Sequence, residues 1–416
     1  MPKRRQGVRN ALLAALVLLP LVPAQAGAIP AFARKYKTTC ALCHAPFPRL
    51  NAFGAMFAAN GFQMARGEVP MDTLTTGDPL LRLQRDIPLA IRVEAYMSSL
   101  SGDDAIAADL KTPWGIKLLS GGQVTDDVSY YMYFFLTERG EVAGLEDAYL
   151  QFNDVLGTGV DLIAGQFQVS DPLFKRELRL EYEDYMPYRV RVGEVGADLT
   201  YERGLMAMTS PWKNSDLFVQ VVNGRGLSQA SEAKNYDTDN DKNVGVRFSQ
   251  DLGALRVGGF YYGGRQRADG RESTLLVLGP DATVPLGDKV ELNLQYMYRR
   301  DDNPFFLESC AQGDVRCDYG ASDPLRTAVD AYMAEMIYSP QGAMGQWHFT
   351  GLYNRVDADR PVFSLRIGEA GLLQRYESVG VSAHYVKARN LRFMAEISQD
   401  VHLERTRFTT GVVTAF

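Results

Sequence analysis

Residues 290–299 read V-E-L-N-L-Q-Y-M-Y-R, and their apolar or aromatic side chains alternate with side chains that are mostly polar. Successive residues of a β-strand point to opposite faces of the sheet, so this pattern predicts a strand with one dry and one wet face. The same alternation recurs at residues 91–98, 244–249 and 391–398. From about Pro88 to the C-terminus the chain is therefore predicted to be all-β.

Such strands fit either of two folds. In a soluble sandwich the dry faces of the strands form the core, whereas in an outer-membrane barrel the dry faces contact lipid. The alternating segments are about 10 residues long, which suits a strand that crosses a membrane. Their wet faces carry charge, and a last strand, residues 407–416, ends on Phe416. Aromatic residues recur near segment ends, as in a membrane girdle: Tyr130, Tyr131, Tyr133, Phe260, Tyr261, Tyr262, Tyr296 and Tyr298. We therefore predict that residues 79–416 form an all-β transmembrane barrel of about 16 antiparallel strands in the bacterial outer membrane, in contact with its lipid.

The composition agrees with a folded protein and limits its partners. The chain has 416 residues, of which 46% are hydrophobic and 23% are charged. These values exclude a disordered chain and a disulfide-packed miniprotein. The formal net charge of -6 gives no general nucleic-acid-binding footprint, so no nucleic-acid partner is predicted.

Residues 1–26 are predicted to be a cleaved signal peptide. A basic start that includes Lys3 and Arg4 precedes an apolar stretch at residues 11–22. Ala24 and Ala26 then fit an A-x-A cleavage site, and a second possible site follows two residues later. The alternative, a membrane anchor, is disfavoured because the apolar stretch is short.

The mature chain opens with a C-x-x-C-H motif formed by Cys40, Cys43 and His44. Two thiols at this spacing reach the two vinyl groups of one haem, and the adjacent imidazole points at the iron. Export supports this interpretation. A zinc site would need further ligands at zinc spacing, and a thioredoxin-like dithiol would need a βαβ setting; neither is visible.

The residues around the motif are more specific than the motif itself. They include I-P-A-F-A-R-K-Y at residues 29–36, F-P-R-L-N-A-F-G at residues 47–54, Phe57 and N-G-F at residues 60–62. From Pro30 to Phe62 the chain resembles the cytochrome segment of the monohaem porin–cytochrome fusions of bacterial outer membranes. The best-known members of that family oxidise ferrous iron at the cell surface.

The resemblance implies one covalent haem c on Cys40 and Cys43, with His44 as the proximal iron ligand. It also implies a short α-helical c-type cytochrome segment, residues 27–78, in front of the barrel. A chain of some fifty residues rarely builds a full core, so the rest of the protein is expected to shield the haem. For the distal ligand, Met64 and Met56 rank above Met71, because a thioether can bind haem iron. An ordinary core or surface role is the commoner one for each of these methionines.

Several loop features have open interpretations. Cys310 and Cys317 lie in a long polar loop of an exported protein, which predicts a disulfide between them.

The acidic run at residues 237–243 departs from the EF-hand pattern, so it is either a looser cation site or a solvated loop. Residues 171–191 have mixed charge and fit either a constriction inside the pore or an outer loop. Residues 221–226 with 243–248 loosely resemble phosphate-selective and related porins.

Two functions of different class remain. In the first, a haem in or at the mouth of the barrel carries electrons between an extracellular donor and a periplasmic c-type cytochrome or another soluble carrier. Ferrous iron is the donor that the family resemblance implies. The protein is then an iron:cytochrome oxidoreductase, or otherwise an electron carrier without enzyme activity. In the second, the barrel is a solute-diffusion porin, and the haem segment is a plug or redox sensor. A peroxidase ranks last, because no histidine near Cys40 to Met71 offers distal acid–base chemistry.

Overall fold

The computed structural model describes most of the mature chain. The described residues are 31–64, 73–74, 76–81, 83–85, 87–102, 105–309, 314, 316–317, 325–365 and 371–416. The predicted signal peptide, residues 1–26, lies outside them, as do Met71 and Cys310.

A closed antiparallel barrel makes up the main part of the described chain, and it contains sixteen strands there. The strands are β1 (Leu89–Ser101), β2 (Ile106–Gln123), β3 (Val128–Glu138), β4 (Gly144–Phe152), β5 (Asp161–Gln168), β6 (Tyr201–Thr209), β7 (Ser215–Val222), β8 (Asn243–Leu252), β9 (Leu255–Ala268), β10 (Arg271–Leu286), β11 (Val290–Asp302), β12 (Arg326–Tyr338), β13 (Trp347–Ala358), β14 (Arg375–Ala388), β15 (Leu391–Asp400) and β16 (Arg405–Ala415). The predicted all-β barrel of about 16 strands is confirmed.

Each strand pairs with its neighbours in sequence, and the last strand closes the ring. Ala415 of β16 pairs with Arg92 of β1. Beyond that pair, the Ile91 amide donates to the Phe416 carbonyl at 2.7 Å, and the Phe416 amide donates to the Ile91 carbonyl at 2.8 Å. Closure pairs the strand edges that an open sheet would expose, as a lipid environment requires.

The two faces of the strands are distributed as the sequence predicts. Along β11, Asn293, Gln295 and Arg299 are at most 5% exposed, whereas Leu294 is 41% exposed. Three of the inward-facing side chains of this strand are thus polar, with the apolar Met297 buried beside them, and Leu294 faces outward. The outer face suits lipid, and the inner face lines a lumen that other parts of the chain fill.

The two ends of the barrel differ in their connections. Short turns and the C-terminus lie at one end, with turns at residues 124–127, 253–254, 287–289 and 389–390. The four longest connections lie at the other end, at residues 169–200, 223–242, 303–325 and 359–374. Bacterial barrels place short turns in the periplasm and long loops outside the cell, so we name these the periplasmic end and the outer end.

Residues 169–200 turn into the lumen, and we call them the inward loop. The Tyr185 hydroxyl donates to Glu335 at 2.6 Å, and the Met186 amide donates to Asn354 at 3.1 Å. Both acceptors are lumen-facing residues of the wall. The question left open for residues 171–191 is thus answered in favour of a position inside the pore.

An N-terminal segment, residues 31–64, enters the lumen from the periplasmic end. Its helices are α1 (Ala31–Lys35) and α2 (Ala52–Ala59), as the predicted short helical segment requires. The remaining elements are small. In the part of the chain that the structure describes, four 3-10 turns cover Cys40–Leu42, Val155–Gly157, Arg176–Leu178 and Met186–Arg189. Two ribbons pair Thr73–Leu74 with Leu83–Gln84 and Arg191–Val192 with Phe363–Ser364. Among the described residues, no helix is long and apolar enough to span a membrane.

The buried ion pair between Arg247 and Asp281 generates a prediction about barrel stability. Their closest N–O distance is 2.5 Å, and both side chains are at most 4% exposed. Asp281→Ala leaves an unpaired buried cation, so we expect the free energy of unfolding to fall by about 3–5 kcal/mol. Guanidinium unfolding in lipid measures this change.

The half-exposed pair formed by Arg355 and Asp357 supplies the control. Asp357→Ala should cost less than about 1 kcal/mol, because solvent screens this pair. Replacing both buried partners, as Arg247→Met with Asp281→Leu, should recover most of the lost stability. Equal losses for Asp281→Ala and Asp357→Ala would contradict the argument.

Candidate functional site

The C-x-x-C-H motif folds into one compact turn. Cys40–Leu42 forms a 3-10 turn, and the amides of Cys43 and His44 donate to the Cys40 carbonyl at 3.2 and 2.9 Å. Both cysteines are free thiols and half-buried. Burial raises the pKa of each thiol above its usual value. The structure thus places the three predicted attachment residues together on a single turn.

The orientation of His44 leaves one ring nitrogen available to a metal. Its Nδ1 lies 2.6 Å from the Pro48 carbonyl, which can only accept, so Nδ1 carries the proton. Nε2 then keeps its lone pair. Burial lowers the pKa of the imidazole, which favours the neutral form. A neutral imidazole whose other nitrogen donates to a carbonyl is the usual state of a histidine ligand.

Residues 47–54 build the scaffold behind the motif. The Asn51 side chain donates to the Leu42 carbonyl at 3.0 Å and accepts from the Gly54 amide at 2.9 Å, so it caps α2 and holds the turn at once. The Asn51 amide also donates to the Cys43 carbonyl at 2.9 Å. A Cβ at Gly54 would overlap that same carbonyl oxygen, which explains why glycine stands there.

An aromatic cluster joins the N-terminal segment to the barrel wall. The Phe32 ring lies 5.2 Å from both Phe57 and Phe62, and Phe62 stacks on Tyr131 of β3 at 5.0 Å. At such distances aromatic pairs stabilise beyond simple burial. The cluster anchors α1 and α2 to the wall at the periplasmic end.

Polar contacts fix the segment on several sides of the lumen. Arg34 donates to the Leu89 carbonyl at 2.5 Å, and Gln151 donates to the Ala59 carbonyl at 2.6 Å. Arg49 lies 2.8 Å from Glu291. These contacts place the C-x-x-C-H turn inside the barrel mouth, as a shielded haem would need.

Arg49 also reaches a carboxylate that the inward loop uses. It lies 3.6 Å from Glu335, which accepts the Tyr185 hydroxyl at 2.6 Å. Nearby carboxylates, among them Glu335 and Glu291, hold the pKa of Arg49 above its usual value despite burial. We call the contact among Arg49, Glu335 and Tyr185 the junction. The sequence does not predict it, because these residues lie far apart along the chain and none belongs to a motif.

The structure also describes the two candidate distal ligands, Met56 and Met64, and one of the two loop cysteines. Met56 lies on α2 with its side chain 54% exposed, and Met64 is half-buried at the end of the described segment. Which of them is a distal ligand stays a prediction. Cys317 is buried in the loop before β12, and because Cys310 lies outside the described residues, their disulfide also stays a prediction.

The residues present fit a covalent haem. Two free thiols lie at the attachment spacing, and a neutral imidazole with an unprotonated Nε2 lies on the same turn. Among the described residues no alternative metal cluster of histidine, cysteine or carboxylate groups occurs. The donor set is therefore the one that haem c attachment requires.

Comparison with solved structures identifies the architecture. A loop-deletion variant of OmpT from Vibrio cholerae matches with a TM-score of 0.54 and 12% identity, over 80% of this chain and 99% of that one. The anion-selective porin from Comamonas acidovorans matches with a TM-score of 0.53 and 9% identity, over 80% and 99%. The channel DcaP of Acinetobacter baumannii matches with a TM-score of 0.53 and 12% identity, over 80% and 97%.

At these identities the similarity concerns the fold alone. No protein-family profile matches the chain, and no curated protein sequence matches it either. The chain is a porin-type barrel whose apolar outer face contacts membrane lipid. This agrees with the predicted location in the bacterial outer membrane, which is confirmed at this level.

The close approach of α2 to Cys43 generates a prediction about haem attachment. Gly54→Ala should displace the Cys43 backbone, because the added methyl group overlaps its carbonyl oxygen. We expect the amount of covalent haem per purified barrel to fall about tenfold. This corresponds to a free-energy cost of about 1.4 kcal/mol for placing Cys43 in the attachment geometry. The haem absorbance of the purified protein measures it. Ala55→Ser, at an exposed position of the same helix, should leave haem content unchanged. Equal haem content in both variants would exclude a positioning role for α2.

Proposed function

We propose that the protein is an outer-membrane electron-transfer protein with one haem c, attached through Cys40 and Cys43 and ligated by His44. The observation that carries the proposal is the hydrogen bond from His44 to the Pro48 carbonyl, made inside the barrel mouth. It leaves Nε2 free on a turn that also presents two free thiols. When bound, haem supplies one-electron exchange at its iron.

The chain's own residues have three tasks in this function. His44 is held in the neutral tautomer that can ligate iron, and Asn51 fixes the attachment turn against α2. The aromatic cluster around Phe62 and the wall of the barrel limit access of bulk water. The barrel itself crosses the membrane, which otherwise insulates one side from the other.

The filled lumen supports electron passage over bulk solute passage. The N-terminal segment occupies the periplasmic end, and the inward loop occupies the middle. They meet at Glu335, which contacts both Arg49 and Tyr185. An electron needs no open channel, whereas a solute does.

The direction and partners of transfer belong to the same proposal. An extracellular one-electron donor gives an electron to the haem, and a periplasmic c-type cytochrome or another soluble carrier accepts it. Ferrous iron is the donor implied by the family resemblance, which would make the protein an iron:cytochrome oxidoreductase. With any other donor it is an electron carrier.

A solute-diffusion porin is the second candidate, and a specific observation favours it. A cavity of about 230 Å³ lies between the inward loop and the wall of β1–β3. Its lining includes Lys111, Lys117, Arg139, Arg176, Arg179, Arg189 and Arg407, against Glu94, Glu138, Glu177, Glu183 and Asp184. This basic excess suits small anions. The likeness to solved porins supports the same candidate.

Sealed proteoliposomes that enclose oxidised cytochrome c test the first candidate. Ferrous iron, or another one-electron donor, is added outside, and the absorbance of the enclosed cytochrome is followed. We expect rapid reduction with the haem-loaded protein and only background with Cys40→Ala/Cys43→Ala, which keeps the barrel and loses the attachment site. Equal rates for the two proteins would rule out electron transfer through the haem.

Planar-bilayer conductance tests the second candidate. Because the lumen is filled, we expect low conductance for the unsubstituted protein. Arg49→Ala/Phe62→Ala removes a junction contact and the stack on Tyr131, so conductance should rise severalfold. A large open conductance before any substitution would favour the porin.

A further inference from the structure

Arg392 of β15 is a buried cation in the lumen that forms no ion pair with a carboxylate in the described chain. It is 1% exposed, its Nη1 donates to the Leu180 carbonyl at 2.8 Å, and the same atom lies 3.1 Å from His384 Nδ1. Its Nε makes no hydrogen bond. No described carboxylate forms an ion pair with it.

Other buried arginines of the lumen do have such partners. Arg92 lies 2.6 Å from Glu94, and Arg299 lies 2.8 Å from Asp301. An isolated buried charge is costly, so these pairs follow the normal rule and Arg392 departs from it.

His384 cannot supply the missing negative charge. Because Arg392 only donates, Nδ1 of His384 must accept, which leaves Nε2 to donate to Ser382 at 2.6 Å. His384 is therefore a neutral residue that orients the guanidinium. Its own ring is completely buried, so it is closed to other ligands.

Glu181 of the inward loop is an alternative anion for Arg392. It shares a cavity of about 30 Å³ with Arg392, and neither of its carboxyl oxygens has a hydrogen-bond partner. The two side chains nevertheless form no ion pair. Burial and the neighbouring Glu335 raise the pKa of Glu181 above its usual value, which favours its uncharged form.

The wall that carries Arg392 borders the C-x-x-C-H turn. Phe47, whose ring lies 5.9 Å from that of His44, packs in one cluster with Tyr96 and Met394. Met394 and Arg392 are both lumen-facing and lie two residues apart on β15, which is roughly 7 Å along a strand. A haem attached at His44 has two propionate carboxylates, so it would bring negative charge to this part of the lumen.

We propose that Arg392 binds a propionate carboxylate of the attached haem, with His384 and the Leu180 carbonyl as its positioning groups. The inference rests on the proposed haem attachment and deepens it. Arg392 is a binding residue for the cofactor, and through Leu180 it connects that cofactor to the inward loop. A fixed cation beside the haem favours the reduced form, which has one positive charge fewer, and so raises the reduction potential.

Spectroelectrochemical titration of the purified, haem-loaded protein tests the proposal. Arg392→Gln should lower the midpoint potential by about 59 mV, a tenfold change in the one-electron equilibrium. Arg392→Lys should retain most of the potential, because it keeps the charge. Arg407→Gln is the matched control, since Arg407 also faces the lumen but pairs with Glu183 nearer the outer end.

A stability measurement keeps the proposal testable if Arg392→Gln fails to load haem. Arg392→Met should stabilise the unloaded protein, Cys40→Ala/Cys43→Ala, because it removes an unpaired buried charge. In the loaded protein the same substitution should give no gain, because the charge there has a partner. Equal effects of Arg392→Met on loaded and unloaded protein would overturn the proposal.

The outcomes separate this inference from the proposed function. Absence of covalent haem from the unsubstituted protein would refute the proposed function itself. Haem present with an unchanged midpoint in Arg392→Gln would refute only the role of Arg392. An unchanged midpoint together with loss of stability in Glu181→Gln would assign Glu181 as the partner, and would equally overturn the proposal.

Discussion

The carboxylate of Glu335 is the contact on which the interior of this protein depends. One oxygen accepts the Tyr185 hydroxyl at 2.6 Å, and the other accepts from Asn293 at 2.7 Å and lies 3.6 Å from Arg49. The N-terminal segment, the inward loop and the barrel wall thus converge on one buried group. Loss of any partner would leave unpaired charge or polar groups in a dry interior, which is costly. The filling of the lumen is therefore cooperative with its wall.

A filled lumen also explains why so many charged residues are buried here. In an open porin the wet face of each strand is solvated by water. In this barrel the inward loop displaces that water, so its own side chains must supply partners. Glu177 of the loop lies 3.1 Å from Lys117 of β2, and Glu183 lies 3.1 Å from Arg407 of β16. Within the loop, Asp184 pairs with Arg176, Arg179 and Arg189, at 3.4, 3.5 and 2.9 Å. These ion pairs satisfy the charged part of the loop. A buried apolar cluster that includes Tyr188, Val192 and Leu199 of the loop packs it against the wall.

The sequence predicts the local features well and the long-range ones poorly. Period-two alternation depends only on neighbouring residues, so it predicts both the strands and their inward faces, as at Asn293 and Leu294. The attachment turn is likewise local, since Cys40 and His44 are close in sequence. The mixed charge of residues 171–191 has the same appearance in solvent and in a lumen, so their position could not be decided. Arg392 gives no sequence signal at all, because an arginine with a partner and one without it look alike.

The position of the C-x-x-C-H turn has a consequence for both candidate functions. It lies at the periplasmic end, close to any soluble carrier there, whereas a donor outside the cell is separated from it by the inward loop. The aromatic rings in that interval are in contact: Tyr96 lies 5.0 Å from Tyr182, which lies 5.7 Å from Trp114. Phe47 joins this group at its periplasmic side. The inward loop contributes Tyr182 to these rings, and a cavity of about 230 Å³ lies beside Tyr182 and Trp114. In the proposed electron transfer, rings in contact would shorten the gaps that an electron must cross, whereas in the porin the same loop would narrow the path of a solute.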